Sequence, residues 1–288
     1  MQAGLLSPDG PWLGGCVNRI LGFLALLLLS VQPGHALARP VVAIIDSGIA
    51  RTDELRASLI AEYDLASLNP RPAFQPRYDH GTMVATILTR AAARPIRIIS
   101  FRIDDPAGCP PRFNPPCQPD AAPVARAIRK ATILKVDVIN LSLALADSPS
   151  IVAAVREAAH KGIRVVIAAG NEGKDTPGNL DIARAGYPNA VLVGAVDADG
   201  RPWSGTNRPG TDSPRDFVYV WQRGVRVPTR LADGSAAFGT GTSFAAPVES
   251  ARLLGHGRRL APDSRLADAP VAAKGRSPET QGAAATGR

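Results

Sequence analysis

Stripes of lysine and arginine interleaved with aromatic side chains are missing from this sequence, in which aromatic residues make up only 5%. The formal net charge is +8, but residues 251–288 hold seven basic and three acidic side chains and so supply +4 of it. A nucleic-acid-binding surface needs basic side chains gathered on one face of a folded domain. The charge pattern therefore argues against nucleic acid as a partner.

Long hydrophobic runs are also missing, since no apolar stretch approaches the roughly 20 residues that span a membrane as a helix. The run from Ile20 to Val31 has twelve mostly apolar residues, follows Arg19 and precedes the small-x-small segment Ala36–Ala38. That order of charge, apolar run and cleavage site is typical of a secretory signal peptide. We predict that residues 1–38 are removed on export to the periplasm or the extracellular space. An uncleaved membrane anchor is the alternative.

Cysteine occurs three times, which limits the disulfide pattern. Cys16 would leave with the signal peptide, so Cys109 and Cys117 remain as a pair separated by seven residues. Disulfides persist in exported proteins. We predict a Cys109–Cys117 bridge that closes a small loop within the proline-rich segment 106–123.

The middle of the chain alternates short apolar runs with helical patterns and shows no internal repeat. The runs that predict strands are Val41–Ile45, Ile96–Phe101, Val136–Leu143, Ile163–Ala169 and Ala190–Val196, and the predicted helices are Gly81–Ala93, Pro123–Leu134 and Ser150–Gly162. Strands buried on both faces appear as unbroken apolar runs, and alternation with helices indicates a parallel sheet. We predict an α/β fold, a three-layer α/β/α domain over residues 39–254 with a mostly parallel central sheet. Residues 255–288, rich in Ala, Pro, Gly and Arg, are predicted to be a disordered basic tail.

Polar residues stand where the predicted strands end, which is where ligands gather in such sheets. Asp46 lies in "DSG" after the first strand, and Asn171 lies in "AAGNEG" after another. His80 in "DHGT" and Ser243 in "GTSFAAP" each open a predicted helix. Taken singly, Ser243 is as well explained as a helix N-cap, Asp46 as a turn residue and Asn171 as a loop residue.

Together these four residues fit acyl transfer. A serine hydroxyl is a weak nucleophile that needs an imidazole to take its proton, and a carboxylate orients that imidazole. A side-chain amide can donate a hydrogen bond to the oxyanion of the tetrahedral intermediate. Four further titratable residues are predicted to lie on the surface without a role, namely Asp79, Asp104, Asp105 and His160.

In this order and with these flanking residues, the motifs resemble the subtilisin-like (subtilase) serine peptidases over roughly Val41 to Leu254. The resemblance implies a catalytic triad of Asp46, His80 and Ser243, with Asn171 in the oxyanion hole. It further implies a secreted serine endopeptidase that hydrolyses polypeptide substrates through an acyl-enzyme intermediate. No cofactor is required for that chemistry, and we expect a monomer.

The resemblance also implies where a peptide binds. Substrate backbone would pair with the segment Ser142, Leu143 and Ala144, and the opposite wall of the P1 pocket would be Ala168, Ala169 and Gly170. Small side chains on both walls predict an open, apolar pocket for medium or large uncharged P1 residues.

The sequence departs from the family in ways that leave a second function open. Ala144 stands where the substrate-binding segment usually has Gly, and Glu249 and Arg252 enter a helix face that the family keeps small and apolar. Only Arg39 and Pro40 separate the predicted cleavage site from the first strand, where secreted members usually carry a pro-segment. The alternative function is therefore a weak or inactive subtilase-fold protein that binds peptides. Calcium is a common stabiliser in this family, but no acidic loop shows a metal-binding spacing, so no metal site is assigned.

Overall fold

The structure, a computed structural model, describes residues 39–110, 116–145, 148–210 and 216–255. The predicted signal peptide, residues 1–38, and the predicted tail from residue 256 onward lie outside the described residues. Among the helices of the described ranges, none combines the length and the apolar character needed to cross a membrane.

Seven parallel strands form the central sheet of the described chain, in the spatial order β2-β3-β1-β4-β5-β6-β7. The strands are β1 Val41–Asp46, β2 Leu59–Asp64, β3 Arg97–Arg102, β4 Val138–Leu141, β5 Arg164–Ala168, β6 Ala190–Val196 and β7 Val218–Arg223. An antiparallel hairpin follows, made of β8 Val227–Arg230 and β9 Ala236–Gly239. The helices are α1 His80–Ala91, α2 Ala121–Ile133, α3 Pro149–His160, α4 Leu180–Ala185 and α5 Thr242–Gly255.

The sheet is buried on both faces, because its strands alternate their side chains between two hydrophobic cores. In β1, Ala43 and Ile45 point into the core covered by α2, α3 and α4. Val42 and Ile44 point into the core covered by α1 and α5. This arrangement confirms the predicted three-layer α/β/α fold, and it explains why the central strands appear as unbroken apolar runs.

The sequence did not predict β2, and its polar content is the reason. This strand lies at the edge of the sheet, where Glu62 accepts hydrogen bonds from the backbone N–H groups of Ile49 (3.0 Å) and Phe74 (2.7 Å). The hydroxyl of Ser100 donates to the same carboxylate over 2.7 Å. Glu62 and Asp64 interrupt the apolar residues of this strand, so it lacks the unbroken apolar run by which the central strands were recognised.

The prediction that Asp104 lies on the surface is wrong. Its side chain is fully buried and forms ion pairs with Arg71 (2.9 Å) and Arg102 (3.0 Å). A buried carboxylate is tolerated when cations and hydrogen bonds compensate its lost hydration. Arg71 is 33 residues away along the chain, so sequence proximity gave no sign of this pairing.

The predicted disulfide between Cys109 and Cys117 is present, with 5.2 Å between the Cα atoms. The loop that it closes is tied to the segment before α1, because the backbone N–H of Cys109 donates to the hydroxyl of Tyr78 over 2.9 Å. Cys109, at one end of the bridge, therefore lies against the residues that lead into His80.

Candidate active site

Three neighbouring strands end at the same edge of the sheet, and each is followed by a residue predicted to belong to the site. Asp46 is the last residue of β1, Ser142 follows β4, and Asn171 lies three residues beyond β5. Because β1, β4 and β5 are adjacent and parallel, their carboxyl ends meet in one place. The topology thus gathers residues that are far apart in the sequence.

Asp46 and His80 form a hydrogen-bonded pair. Nδ1 of His80 lies 2.8 Å and 2.9 Å from the two carboxylate oxygens of Asp46. Asp46 is buried and also accepts the backbone N–H of Ser47 over 2.7 Å. The hydroxyl of Ser47 in turn accepts the N–H of Gly81 over 3.2 Å, so the end of β1 and the start of α1 are joined directly.

The pKa of His80 is raised above its ordinary value. Burial alone would lower this pKa, but the charge of Asp46 and the hydrogen bond to it outweigh burial. The carboxylate therefore favours the imidazolium form and fixes the ring with Nδ1 facing Asp46. Nε2 is then the nitrogen left to exchange a proton with another group.

Gly81 is required by the close approach of α1 to β1. A Cβ atom at this position would lie 2.2 Å from the carbonyl oxygen of Gly48 and 3.2 Å from a carboxylate oxygen of Asp46. Any side chain here would push α1 away from the strand end. The glycine of the "HGT" motif thus sets the distance between His80 and Asp46.

Ser243 is half-buried in the first turn of α5. The ring of Phe244, the next residue, lies with its centroid 5.5 Å from that of His80. Among the described residues no hydrogen bond joins the Ser243 hydroxyl to His80, and in unliganded sites such contacts are often long. The structure therefore brings the start of α5 beside the imidazole without closing this contact.

A chain of buried hydrogen bonds ends on Ser243. The hydroxyl of Ser250 donates to Oδ1 of Asn140 (2.9 Å), and Nδ2 of Asn140 donates to the hydroxyl of Ser142 (2.9 Å). Ser142 donates to the carbonyl oxygen of Ser243 over 2.8 Å. A carbonyl can only accept, so the direction of every bond in the chain follows from this last one. Asn140 and Ser250 were not predicted from the sequence, since they are 110 residues apart and meet only in the fold.

Asn171 is exposed, and one end of its amide is fixed by Thr242. Oδ1 accepts from both the backbone N–H and the hydroxyl of Thr242, each over 2.9 Å. Because Oδ1 is used in this way, Nδ2 is the end that remains to donate to another molecule. A fixed donor next to Ser243 has the form that an oxyanion hole needs.

The two predicted walls of the substrate pocket lie side by side, since β4 pairs with β5 up to Leu141 and Ile167. Leu143, Ala168 and Ala169 are buried, Gly170 is half-buried, and Ala144 is exposed. A small hollow of about 30 Å³ adjoins Leu143 and Ala144, and its lining mixes apolar side chains such as Ile103 with the polar side chains of Gln118 and Asp120.

Helix α5 is continuous through the charged positions that depart from the family. Glu249 is fully buried, and its carboxylate binds Arg252 through two contacts of 2.8 Å and 2.7 Å. Gln222 on β7 also binds this carboxylate, since its Nε2 donates to Glu249 over 2.8 Å. The helix runs to Gly255, so the charges are accommodated in place and the helix is not interrupted.

No cluster of three or more His, Cys, Asp or Glu side chains suited to a metal ion occurs in the described ranges.

Comparisons with known proteins show the family and the fold. The sequence model of the subtilase family matches residues 38–253. Subtilisin-like protease 2 of Trichophyton verrucosum is 31% identical over 183 residues, which cover 62% of this chain and 41% of that protein. The Trichophyton rubrum protein of the same name is 30% identical over the same length and the same shares. The chain thus spans about two fifths of the length of these curated relatives.

Among solved structures, a cold-adapted subtilisin-like serine proteinase is similar, with a TM-score of 0.61 and 19% identity. The similarity covers 76% of this chain and 76% of that chain. At that level of identity the likeness shows the fold alone.

Proposed function

The chain belongs to the subtilase family, and from that premise we propose that it is a secreted serine endopeptidase with Asp46, His80 and Ser243 as its catalytic triad. The observation that carries the proposal is the hydrogen-bonded pair of His80 and Asp46, set beside the helix start that bears Ser243. An imidazole whose Nδ1 is held by a carboxylate presents Nε2 as a base.

In the first half of the reaction, Nε2 of His80 takes the proton from the hydroxyl of Ser243. Oγ forms a bond to the carbonyl carbon of the scissile peptide, and the π electron pair moves to the carbonyl oxygen. Asp46 stabilises the imidazolium that results without taking its proton. The raised pKa of His80 favours this proton transfer, because the charged ring is stabilised where it forms.

The negative charge on the tetrahedral intermediate needs donors already in position. Nδ2 of Asn171 and the backbone N–H of Ser243 are the two groups that we assign to this role. The N–H groups of a helix's first turn have no partner within the helix, and the dipole there favours negative charge. Fixed donors of this kind act without the cost of reorganising water.

In the second half, His80 gives its proton to the leaving amine as the carbon–nitrogen bond breaks, which leaves Ser243 acylated. A water molecule then attacks the ester carbonyl, again with His80 as base, and the carboxylate product leaves with regeneration of the hydroxyl. All the groups in these steps belong to the chain, so we propose that no cofactor takes part.

The substrates that we propose are extended polypeptides with a medium or large uncharged P1 side chain. The small and apolar side chains of Leu143, Ala144, Ala168 and Ala169 support that choice, since none carries a charge to pair with Arg, Lys, Asp or Glu.

Export of the protein is part of the proposal. Its support is the signal-like segment that ends at Ala38 and the disulfide between Cys109 and Cys117. Disulfides persist in oxidising compartments outside the cytosol. N-terminal sequencing of the protein recovered from its host should give a start at Arg39, whereas a start before Arg19 would contradict the cleavage.

Hydrolysis of a peptide library tests the proposed activity. The wild type should cleave internal bonds after uncharged residues, and Ser243→Ala should not. Asn171→Ala should fold normally and lose about 10²–10³-fold in kcat, as expected when one oxyanion donor is removed. A preference for Arg or Asp at P1 would contradict the pocket assignment, and equal activity in Ser243→Ala would contradict the mechanism.

A further inference from the structure

Asn179 connects the two walls of the substrate pocket. Its Nδ2 donates hydrogen bonds to the carbonyl oxygens of Leu143 (3.1 Å) and Ala168 (2.9 Å), which belong to opposite walls. Its Oδ1 accepts the backbone N–H of Leu145 over 3.0 Å. The side chain is buried, and these three bonds use both hydrogens of the amide and one lone pair of its oxygen.

The hydrogen bonds of Asn179 lie beyond the end of the pairing between β4 and β5. Strands β4 and β5 pair as far as Leu141 and Ile167, and the two segments that form the walls continue beyond that last pair. Among the described residues, no pair of the β4–β5 ladder lies past this point. Asn179 therefore joins the segments where the sheet has stopped joining them.

The backbone at this position favours asparagine over other side chains. Asn179 has φ 59° and ψ 22°, in the left-handed region, where asparagine is tolerated better than most residues. Its carbonyl accepts the N–H of Ala183 (3.0 Å), and the preceding Gly178 donates to Ala169 over 2.7 Å. The residue is thus held between the start of α4 and the end of β5, with little freedom to move away from the walls.

We infer that Asn179 is a specificity-positioning residue that fixes the distance between the two walls of the P1 pocket. This inference rests on the proposed function, since it concerns how that site selects a side chain. Asn179 acts through Leu143 and Ala168 and takes no part in bond making or breaking. With the amide removed, the walls are free to separate, and the pocket discriminates less well between large and small uncharged side chains.

Peptide binding in a Ser243→Ala background tests this inference without needing turnover. Calorimetry would give the Kd of two otherwise identical peptides with Phe or Ala at P1. Adding Asn179→Asp keeps the size of the side chain but replaces both donors by an oxygen that repels the two carbonyls. We expect the ratio of the two Kd values to change about tenfold, the equivalent of one to two lost hydrogen bonds. Asn179→Gly, which suits the left-handed backbone, should change the ratio in the same direction without adding a charge.

Asn189→Asp is the matched control. The amide of Asn189 also donates to a main-chain carbonyl, that of Ala159 over 2.9 Å, but that carbonyl belongs to α3 and not to the walls. We expect it to lower stability while leaving the ratio of Kd values unchanged. An unchanged ratio in both Asn179 variants, or an equal change in Asn189→Asp, would overturn the inference.

Amide hydrogen exchange in the wild-type protein tests the same inference and does not depend on whether a variant folds. The amide proton of Leu145 should exchange slowly with solvent, because Oδ1 of Asn179 binds it. Exchange at the rate of an unprotected amide would overturn the inference. Loss of hydrolysis in the wild type would instead overturn the proposed function, and the binding and exchange results would still decide the role of Asn179.

Discussion

Ser142 donates a hydrogen bond from its hydroxyl to the main-chain carbonyl of Ser243 over 2.8 Å. The bond joins the segment after β4, where the substrate backbone is proposed to bind, to the residue proposed as nucleophile. It is the last of three bonds that begin at Ser250 and pass through Asn140, and Ser250, Asn140 and Ser142 are all buried. The position of Ser243 is therefore fixed from the side of the substrate as well as by its own helix.

Ser142→Ala should lower both stability and turnover. The change leaves Nδ2 of Asn140 buried without its acceptor, which costs about 1–3 kcal/mol of unfolding free energy. Because the Ser243 carbonyl also loses its donor, we expect kcat to fall about tenfold. Denaturant unfolding and peptide hydrolysis would measure the two effects.

Ser250→Ala should act through the same chain of hydrogen bonds. The loss of unfolding free energy in the Ser142→Ala/Ser250→Ala double variant should therefore be smaller than the sum of the losses in the two single variants. A coupling energy of about 0.5–3 kcal/mol is typical of residues in one network. Thr132→Ala is the control, because the Thr132 hydroxyl also binds a main-chain carbonyl, that of Ile128, in a helix away from the site. Additive effects of the two serine changes would show that the network does not act as a unit.

The pH profile of kcat/KM should rise on the acidic side as His80 loses its proton. Because the pKa of His80 is raised by Asp46, this rise should come above the ordinary histidine value of about 6.5. Asp46→Asn removes the charge that favours the imidazolium, so the rise should move to lower pH. The same change should lower kcat about 10⁴-fold, as is typical when the carboxylate of such a triad is lost. A rise that stays at the same pH in Asp46→Asn would contradict the assignment of the pair.

Gly81→Ala should damage the site through the backbone. The new Cβ would meet the carbonyl oxygen of Gly48 at 2.2 Å, so α1 must shift and carry His80 with it. We expect a loss of about 1–3 kcal/mol in stability and about a hundredfold in kcat. Gly200→Ala, at a glycine with no atom within 4 Å of the added Cβ but with a left-handed φ of 79°, should cost some stability and leave kcat unchanged. Wild-type turnover in Gly81→Ala would contradict the close approach of the helix.

Arg252→Ala should destabilise the end of α5. Glu249 is fully buried, and without the guanidinium of Arg252 its carboxylate keeps the hydrogen bond from Gln222 and the more distant charge of Arg164. Breaking one side of a buried ion pair costs about 3 kcal/mol, which at this size lowers the melting temperature by roughly 6–12 °C. Arg201→Ala, which breaks an exposed pair with Asp199, should cost at most about 0.5 kcal/mol. Equal melting temperatures for the two variants would show that the buried pair contributes nothing.

The fold could be predicted from the sequence wherever a strand is buried on both faces. The runs Val41–Ile45 and Ala190–Val196 are apolar throughout, because each strand contributes side chains to two hydrophobic cores. Edge strand β2 was missed because Glu62 and Asp64 interrupt its apolar residues, and Asp104 was misplaced because its pairing with Arg71, 33 residues earlier, is made only by the fold.

For the site as well, residues in short local motifs could be predicted, whereas residues whose partners come from other elements could not. Asp46, His80, Asn171 and Ser243 stand in short motifs that a single sequence displays. Asn140 and Asn179 have no local signal, since each acts through carbonyls and hydroxyls from other elements. Glu249 and Arg252 appeared in the sequence as charges on a helix face that the family keeps small and apolar. Arg252 lies one turn further along the same helix, Gln222 comes from a neighbouring strand, and the charge of Arg164 is also close, so that Glu249 is buried with compensation.

Labelling with a fluorophosphonate tests the central claim most directly, because this reagent reacts with a serine only when a neighbouring base activates it. The wild type should be labelled on Ser243, as located by mass spectrometry of the digested protein. Ser243→Ala should not be labelled, and Asp46→Asn should be labelled far more slowly. A folded wild-type protein that remains unlabelled, or one labelled at another serine, would contradict the account.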